Sequence, residues 1–364
     1  MLLINFKLTT ICLTMNNPSL AKAALFTLIL VITAGICFEL YVRNKGFDTS
    51  YDDDPSLWAD KRSMVYEPAE KTTVFIGSSR IKFDLDIAAW QKITGTHAVM
   101  LACVGSSPLP VLNHLAADKN FKGNLIIDVT EVLFFSGLPM AVKTPNENIE
   151  YYEERTPAQR AGFYLNHFLE SKLAFLDKDR LSLNATLDKL QIPNRPGVFE
   201  FPLFPPDFGR VMFNRQEYMT AKFLADTNQQ KQVKNVWTFL GKINKAPPVS
   251  GAPLDSIFHS VKIAVDKIKV RGGKVLFVRT PSSGPFLMGE NMGYPHAKYW
   301  DKLLEATNCK GIHFADYPVI NHFECPEFSH LSQPDAWLFT KEFIRILLEE
   351  KDWSFSAQTA TVKK

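Results

Sequence analysis

The chain has 364 residues, of which 41 are Lys or Arg and 38 are Asp or Glu, so its formal net charge is +3. The two signs are mixed along the sequence, and no basic run or RNA-binding motif is present, so nucleic acid is excluded as an expected partner. Roughly 320 residues follow an apolar N-terminal segment, which suits one large α/β domain that carries an insertion.

The N-terminal segment is an apolar run that begins at Ala23, ends near Val42 and is interrupted only by Glu39. About 20 such residues match the hydrocarbon thickness of a bilayer, which predicts a transmembrane anchor over residues 23–42. The alternative is a cleaved signal peptide, which has a shorter apolar stretch and a small-x-small cleavage site. No such site ends this run, and this favours the anchor. Lys and Arg residues are balanced on its two sides, so their distribution does not orient it.

The sequence then divides around this anchor. We assign an N-terminal tail (1–22), the anchor (23–42), a solvated linker that includes three consecutive Asp residues (43–70), a main domain (71–350) and a C-terminal tail (351–364). Met15 is an alternative start to Met1.

In the main domain, short apolar runs alternate with helical stretches. Strands are predicted at 72–76, 98–104, 124–129, 274–278 and 312–314, and helices at 84–94, at 108–118 and from a cap at Ser332 onward. Asp335 completes a predicted capping box with Ser332. Continuous apolar strands between helices indicate a parallel sheet covered on both faces. Ligands bind such sheets at the carboxyl ends of the strands.

Between residues 136 and 253 this alternation stops, which predicts a mainly helical insertion that packs over the strand ends as a cap. Its predicted helices run from Thr156 to about Asp177 and from Gln216 to Ile243, with a Pro-rich irregular stretch at 193–206 between them. Aromatic stripes on such helices belong to the core more often than to a substrate pocket.

The cysteines leave one alternative open. Cys309 and Cys325 flank the predicted last strand, and they suit either a disulfide in an oxidising compartment or two buried thiols. No spacing of Cys or His indicates zinc or an iron–sulfur cluster, so we expect neither a metal nor an organic cofactor.

Three separated residues have the chemistry of a nucleophilic site. Ser79 follows the first strand at a Gly-Ser-Ser turn, His330 lies just before the last helix, and Glu327 precedes His330 by three residues. A serine nucleophile needs a base to take its proton and an acid to orient that base, and these residue types supply all three roles.

These residues, together with Gly105 after the second strand, resemble the blocks of the SGNH (GDSL-like) hydrolase superfamily over most of 72–138 and 254–350. The resemblance implies a three-layer α/β/α, flavodoxin-like sheet of five parallel strands. It also implies an oxyanion hole formed by the backbone N–H groups of Ser79 and Gly105. Where the family has Gly-x-Asn-Asp, this chain reads Asp128-Val-Thr-Glu, so Thr130 takes the place of the Asn donor. Glu327 stands where the family has Asp, and Ser78 replaces the Asp of the first block.

The Gly-Ser-Ser form with an N-terminal anchor is most similar to the membrane-tethered D-alanyl transfer proteins and the alginate and peptidoglycan O-acetylation proteins. This implies an extracytoplasmic serine acyl-ester hydrolase or O-acyltransferase that acts on an envelope glycan or another acyl ester. A membrane-bound acyl-donor protein is an implied partner. One alternative is a catalytically inactive envelope protein that uses the cleft around these residues to bind a glycan or to assemble a complex. Another is an α/β-hydrolase, which requires Gly-x-Ser-x-Gly, and residue 81 is Ile rather than Gly.

Two arginines complete the predicted site. Arg80 follows Ser79, and Arg279 ends the fourth predicted strand, where a guanidinium suits a carboxylate, a phosphate or a sugar hydroxyl of the substrate. For Arg279, at a strand end, the alternative interpretation is a structural ion-pair partner.

Overall fold

The structure is a computed structural model that describes residues 18–68, 71–187, 190, 202–244 and 246–355. The alternative start at Met15, residues 193–201 of the Pro-rich stretch and the last nine residues of the predicted C-terminal tail (356–364) lie outside the described residues.

The strands form one central sheet and one hairpin. Their bounds are β1 Thr72–Ile76, β2 His97–Met100, β3 Asn124–Asp128, β4 Arg210–Val211, β5 Glu217–Tyr218, β6 Val275–Arg279 and β7 Lys310–His313. The central sheet has the order β2-β1-β3-β6-β7 and every neighbouring pair is parallel, while β4 and β5 pair antiparallel.

The helices surround this sheet and extend beyond it. Their bounds are α1 Pro18–Asn44, α2 Pro55–Ser63, α3 Ser79–Asp84, α4 Ile87–Thr94, α5 Leu109–Ala117, α6 Glu131–Phe134, α7 Pro139–Glu154, α8 Pro157–Glu170, α9 Lys178–Leu181, α10 Leu183–Leu187, α11 Ala221–Ala225, α12 Thr227–Ile243, α13 Ala252–Val270, α14 Gly284–Gly293, α15 His296–Thr307 and α16 Gln333–Glu350.

The core lies on both faces of the central sheet, because successive strand residues point to opposite sides. Val74 and Ile76 belong to a cluster with residues of α2, α5, α13 and α15. Phe75 belongs to a second cluster with residues of α4 and α16, where its ring meets that of Trp90 edge-on with 4.9 Å between centroids. The predicted α/β class, with a five-stranded parallel sheet covered on both faces, is confirmed.

The ends of several elements differ from the sequence prediction. β2 ends at Met100 rather than at residue 104, and the predicted helix at 84–94 is α4, Ile87–Thr94, preceded by a separate helix, α3, that ends at Asp84. They separate because the Asp86 side chain accepts a hydrogen bond from the Ala89 amide and so begins a new helix. The predicted cap of α16 is present, with the Asp335 amide donating to Ser332 Oγ at 3.3 Å.

Helix α1 contains the predicted anchor. It is long and apolar enough to cross a membrane, and its apolar window is not buried inside the protein. Glu39, near its end, accepts hydrogen bonds from the backbone amides of Ala174 and Phe175, both at 3.0 Å. The last turns of α1 are therefore fixed to the insertion.

The segment 43–70 is not the solvated linker that the sequence predicts. Asp54 caps α2, and Trp58 of α2 is fully buried and donates from its indole nitrogen to the Leu101 carbonyl at 3.0 Å. Asp53 forms ion pairs with Lys82 at 2.5 Å and with Arg215 at 2.6 Å. Three consecutive acidic residues suggest solvent exposure, but Asp53 has two buried partners far along the chain and Asp54 caps a helix. The folded domain therefore begins near residue 51.

The insertion is mainly helical, as predicted, but its second long helix is shorter than predicted. Residues 216–243 contain β5, α11 and α12, because Asp226 ends one helix and caps the next. The first predicted helix likewise ends at Glu170 rather than near residue 177. Cys309 and Cys325, for which a disulfide was one alternative, are both free thiols.

Candidate active site

The turn after β1 presents Ser79. A side chain at Gly77 would bring its Cβ to 2.5 Å from Asp128 Cβ and 2.8 Å from Ile81, so only glycine fits there. Ser78 is the N-cap of α3, and Ser79 is the first residue of this helix. The close approach of β1 to β3 and the immediate start of a helix thus set the position of the Ser79 hydroxyl.

Ser79, His330 and Glu327 form a continuous hydrogen-bonded chain, as predicted from the sequence. His330 Nε2 lies 2.9 Å from Ser79 Oγ, and His330 Nδ1 lies 2.9 Å from Glu327 Oε1. His330 is 1% exposed and Glu327 is fully buried, whereas Ser79 is partly exposed. The serine therefore lies at the accessible end of the chain.

The surroundings of Glu327 fix the histidine tautomer. Glu327 Oε1 also accepts from the backbone amides of His330 at 2.6 Å and Ser329 at 3.2 Å, and its Oε2 accepts from the indole nitrogen of Trp237. Because every partner of this carboxylate is an N–H donor, His330 Nδ1 carries the proton. The Nε2 lone pair then faces the Ser79 hydroxyl, which is the arrangement that a general base requires.

The turn that carries this pair is strained at Phe328. Its φ of +83° lies in the left-handed region, which is unusual for an aromatic residue. The Phe328 carbonyl accepts from the Ser283 amide at 2.9 Å, and its ring fills the space beside Gly284. Such strain is kept where the surrounding structure imposes it, often at functional sites. Here it lets Glu327 fold back onto His330.

Three aromatic rings surround the imidazole of His330. Phe83 of α3 lies 4.5 Å away, Phe208 lies 5.8 Å away and Trp237 of α12 lies 6.0 Å away, all measured between ring centroids. Phe208 and Trp237 belong to the insertion, which therefore covers the strand ends at this point, as predicted. Their rings exclude water from the inner side of the histidine.

Two of the expected oxyanion donors, the backbone amides of Ser79 and Gly105, lie in neighbouring segments of the chain. Beyond the end of β2, the Cys103 amide donates to the Gly77 carbonyl at 3.1 Å, so the loop that carries Gly105 lies beside the serine turn. Gly105 has a φ of +62°, a conformation that glycine adopts readily. Within the described part of the chain, neither the Ser79 amide nor the Gly105 amide donates a hydrogen bond, so both N–H groups remain free for a ligand.

Thr130 does not have the role that the sequence suggested. Its hydroxyl donates to Asp128 Oδ2 at 3.0 Å and lies 2.6 Å from the Ser78 hydroxyl. A hydroxyl has one proton, and this one is directed at the buried carboxylate beneath the turn. Burial raises the pKa of Asp128 to about 6, although Arg80 and the Thr130 hydroxyl oppose the shift. Thr130 therefore braces the turn and is not an oxyanion donor.

Arg80 and Arg279 also differ from their predicted role in substrate binding. Both are 1% exposed and share the carboxylate of Glu290, with Arg279 Nη2 at 2.5 Å from Oε2. Arg279 also bonds Glu131 Oε1 at 3.1 Å. Although burial raises the pKa of Glu290, the two arginines lower it below its ordinary value. The alternative interpretation, that of structural ion pairs, is the one that matches the geometry.

Sequence reasoning missed three residues that support the site. Glu290 braces Arg80, the neighbour of Ser79, and Trp237 holds Glu327. Asp84 accepts from the amide of Leu331, next to His330, at 2.8 Å, and burial raises the pKa of Asp84 to about 7. Asp84 lies only five residues after Ser79, so its position in the sequence could have indicated that it belongs to the site. Nothing local marks Glu290 or Trp237, because the site residues that they contact, Arg80 and Glu327, are 210 and 90 residues away along the chain.

One group of side chains in the described residues resembles a metal-binding set, namely His296, His313 and Asp316. His313 Nδ1 accepts from the Ala315 amide at 3.2 Å, so the neutral ring carries its proton on Nε2. Burial, Arg279 and His296 lower the pKa of His313 to about 3, which keeps the ring neutral. A ring that holds its proton on Nε2 offers no lone pair there, and a metal at that atom would require the Ala315 contact to break.

A cleft of about 700 Å³ lies between α5 and α13, beside Asn113 and His259, and not at the candidate active site.

Comparisons with known proteins do not identify the chain. No protein-family model matches it, and no curated protein matches it.

Proposed function

We propose that this protein is a membrane-anchored serine acyl-ester hydrolase or O-acyltransferase of the SGNH type. The observation that carries the proposal is the unbroken chain from Ser79 Oγ to His330 and Glu327, with both hydrogen bonds at 2.9 Å. The strand order supports it, since without the small hairpin it becomes 2-1-3-4-5, the order of flavodoxin-like sheets. All three residues lie at the carboxyl edge of the sheet, where such folds bind ligands.

In the proposed reaction, Ser79 Oγ attacks the acyl carbonyl while His330 Nε2 takes the serine proton. The resulting oxyanion accepts hydrogen bonds from the backbone N–H groups of Ser79 and Gly105. The imidazolium, stabilised by Glu327, then gives its proton to the leaving alcohol, and an acyl-serine remains. Water or an acceptor hydroxyl then gives its proton to His330 Nε2 and attacks the acyl-serine. His330 returns this proton to Ser79 Oγ, and the acyl group leaves on the attacking oxygen.

The choice between hydrolysis and transfer depends on access of water. Phe83, Phe208 and Trp237 line the inner side of His330, and such apolar walls favour an acceptor hydroxyl that is held in place over free water. On the resemblance, the acceptor class is an envelope glycan, the domain lies outside the cytoplasm, and a membrane-bound acyl-donor protein is the implied partner. These assignments belong to the proposal and rest on the sequence resemblance.

The test is hydrolysis of short-chain aryl esters by the full chain in detergent. We expect Ser79→Ala and His330→Ala each to lower the rate of ester hydrolysis by at least about 10³-fold, because the nucleophile and the base act together. Ser260→Ala and His259→Ala are matched controls, because both residues are exposed on α13. Equal rates of ester hydrolysis for the parent chain and the four variants would show that Ser79 is not the nucleophile.

The second candidate is an inactive protein that binds glycans through the same cleft. It is favoured by one observation, namely that Thr130 supplies no third oxyanion donor. Loss of one such donor costs on the order of 3 kcal/mol of transition-state stabilisation. Glycan binding by the full chain, with no ester hydrolysis above the Ser79→Ala level, would select this candidate.

A further inference from the structure

Helix α8 presents an apolar face with no partner in the described part of the chain. Tyr164, Leu165 and Phe168 are 65%, 63% and 60% exposed. They occupy positions i, i+1 and i+4 of one helix and therefore share one side of it. A soluble surface rarely exposes three large apolar side chains together, so this face marks an interaction site.

The opposite side of α8 is fixed to the domain. The His167 ring stacks on Phe213 with 3.6 Å between centroids, and Tyr51 lies 5.4 Å from His167. Tyr51 comes directly after the end of α1 and its short connection. The orientation of α8, and the direction of its apolar face, are therefore set by packing.

The chain directly after α8 contacts the end of the anchor helix. Arg43 donates to the Lys172 carbonyl at 2.9 Å, Glu39 accepts from the amides of Ala174 and Phe175, and the Phe38 and Phe175 rings lie 5.9 Å apart. If α1 crosses a bilayer, its apolar run ends at this level. The C-terminal end of α8 is then at the membrane surface.

Exposed cations at the two ends of α8 match the same placement. Arg160 lies four residues before Tyr164 and so on the line of the apolar face, and Lys172 follows the end of the helix by two residues. Cations at the two ends of an apolar helix face are typical of helices that lie in a membrane interface, where they meet lipid phosphates.

We propose that α8 lies in the bilayer interface and inserts Tyr164, Leu165 and Phe168 among the lipids. The partner is the lipid surface itself, reached because α1 and α8 are joined at residues 39–43 and 172–175. The contact holds the domain in one orientation on the membrane, so the active-site edge faces a constant direction. This inference rests on α1 as the membrane anchor and is independent of the chemistry at Ser79.

The test uses the full chain in liposomes that contain lipids brominated in the upper acyl region. Phe168→Trp adds a fluorophore to the face, and its signal is the difference from the parent chain with its 6 Trp residues. Ile36→Trp in α1 is the positive control, and Val270→Trp is the negative control, since Val270 is 88% exposed at the end of α13. Circular dichroism checks that each variant keeps its fold.

We expect the Phe168→Trp emission to shift to the blue and to be quenched by the brominated lipids, with Val270→Trp unaffected. Quenching of Ile36→Trp together with a Phe168→Trp signal equal to that of Val270→Trp would overturn the inference. A blue shift without quenching would assign the face to a second copy of the chain instead. An unquenched Ile36→Trp would overturn the inference together with its premise. None of these readings requires turnover, so failure here is distinct from failure of the proposed enzyme activity.

Discussion

Two clusters of polar side chains lie at the same edge of the sheet, and they differ in whether they reach a solvent-accessible group. The first cluster, Ser79, His330 and Glu327, is a chain with one end at a partly exposed hydroxyl. The second cluster, in which Arg80 and Arg279 share Glu290, is closed, because each guanidinium faces a carboxylate that is itself buried.

The difference separates a group that can react from a group that supports it. The open chain presents a hydroxyl to a substrate, whereas the side chains of the closed ion-pair cluster are buried and are not accessible to one. The two are nevertheless connected. Arg80 follows Ser79, and its Nε donates to Ser329 Oγ at 3.4 Å, beside His330. The closed cluster therefore contacts both the turn that carries Ser79 and the turn that carries His330.

The largest expected effect is in the open cluster, at Glu327. Both oxygens of the Glu327 carboxylate accept hydrogen bonds, from His330 Nδ1 on one side and from the Trp237 indole N–H on the other. The amide of Glu327→Gln has only one oxygen, so its NH₂ group must face one of these two donors. If it faces His330 Nδ1, it favours the wrong histidine tautomer. We expect the ester-hydrolysis rate to fall by about 10³- to 10⁴-fold while the protein remains folded.

The control for this variant is Glu327→Gln combined with Trp237→Phe, measured by the same assay. The phenylalanine removes the N–H donor that faces Oε2, so the amide can direct its oxygen to His330. We expect part of the lost rate to return. A Glu327→Gln rate equal to that of the parent chain would contradict the assigned role of the carboxylate.

In the closed cluster, the expected effect is on stability. Glu290→Gln leaves Arg80 and Arg279 buried without the carboxylate that they share, and loss of one partner of a buried pair costs about 3–5 kcal/mol. Urea unfolding of the variant measures this change. Glu305→Gln, which removes an exposed partner of Lys302, is the matched control and should unfold like the parent chain. Equal midpoints for the two variants would show that the cluster does not stabilise the fold.

A smaller effect is expected at Asp53, a second closed cluster. Burial raises the pKa of its carboxyl, but Arg215 and Lys82 outweigh burial and lower the pKa from 3.8 to about 2. A lowered folded-state pKa stabilises the fold above pH 3.8, and this stability is lost as the pH falls towards 2. The shift corresponds to about 2 kcal/mol at neutral pH.

Asp53→Asn should therefore unfold at lower urea than the parent chain at pH 7, and the gap should narrow as the pH falls from about 4 to 2. Asp352→Asn is the matched control, because Asp352 pairs with Lys310 on the surface. A gap that stays constant over this range of pH would contradict the assigned ion pairs.

The sequence predicts the open cluster better than the closed ones, for a physical reason. Strand ends, a Gly-Ser-Ser turn and Glu-x-x-His are local patterns, and parallel topology brings them to one edge. Arg80 pairs with Glu290, Arg279 with Glu131 and Asp53 with Arg215, and each of these pairs joins residues far apart in the chain, so no local pattern identifies them. The same reason explains why the sequence predicts a solvated linker at 43–70. The hydroxyl of Thr130 has a local acceptor, Asp128, and its direction depends on the side-chain conformation rather than on the sequence pattern.

The smallest expected effect on the rate of ester hydrolysis is at Thr130. Thr130→Val removes the hydroxyl that donates to Asp128 Oδ2, and a lost hydrogen bond to a buried carboxylate costs about 1–3 kcal/mol of unfolding free energy. The rate of ester hydrolysis should stay within about threefold of the parent value, because the hydroxyl is not directed at the oxyanion. A loss of rate near 10²-fold with unchanged stability would return Thr130 to the oxyanion hole.

The central claim is that the Ser79 hydroxyl is activated by His330, and covalent labelling tests it most directly. The full chain is treated with an active-site serine phosphonate, and the modified residue is located by peptide mass spectrometry. We expect one phosphonate per chain on Ser79, no labelling of Ser79→Ala and at least about 10³-fold slower labelling of His330→Ala. Absence of labelling in the folded parent chain, or a rate that His330→Ala leaves unchanged, would contradict the claim.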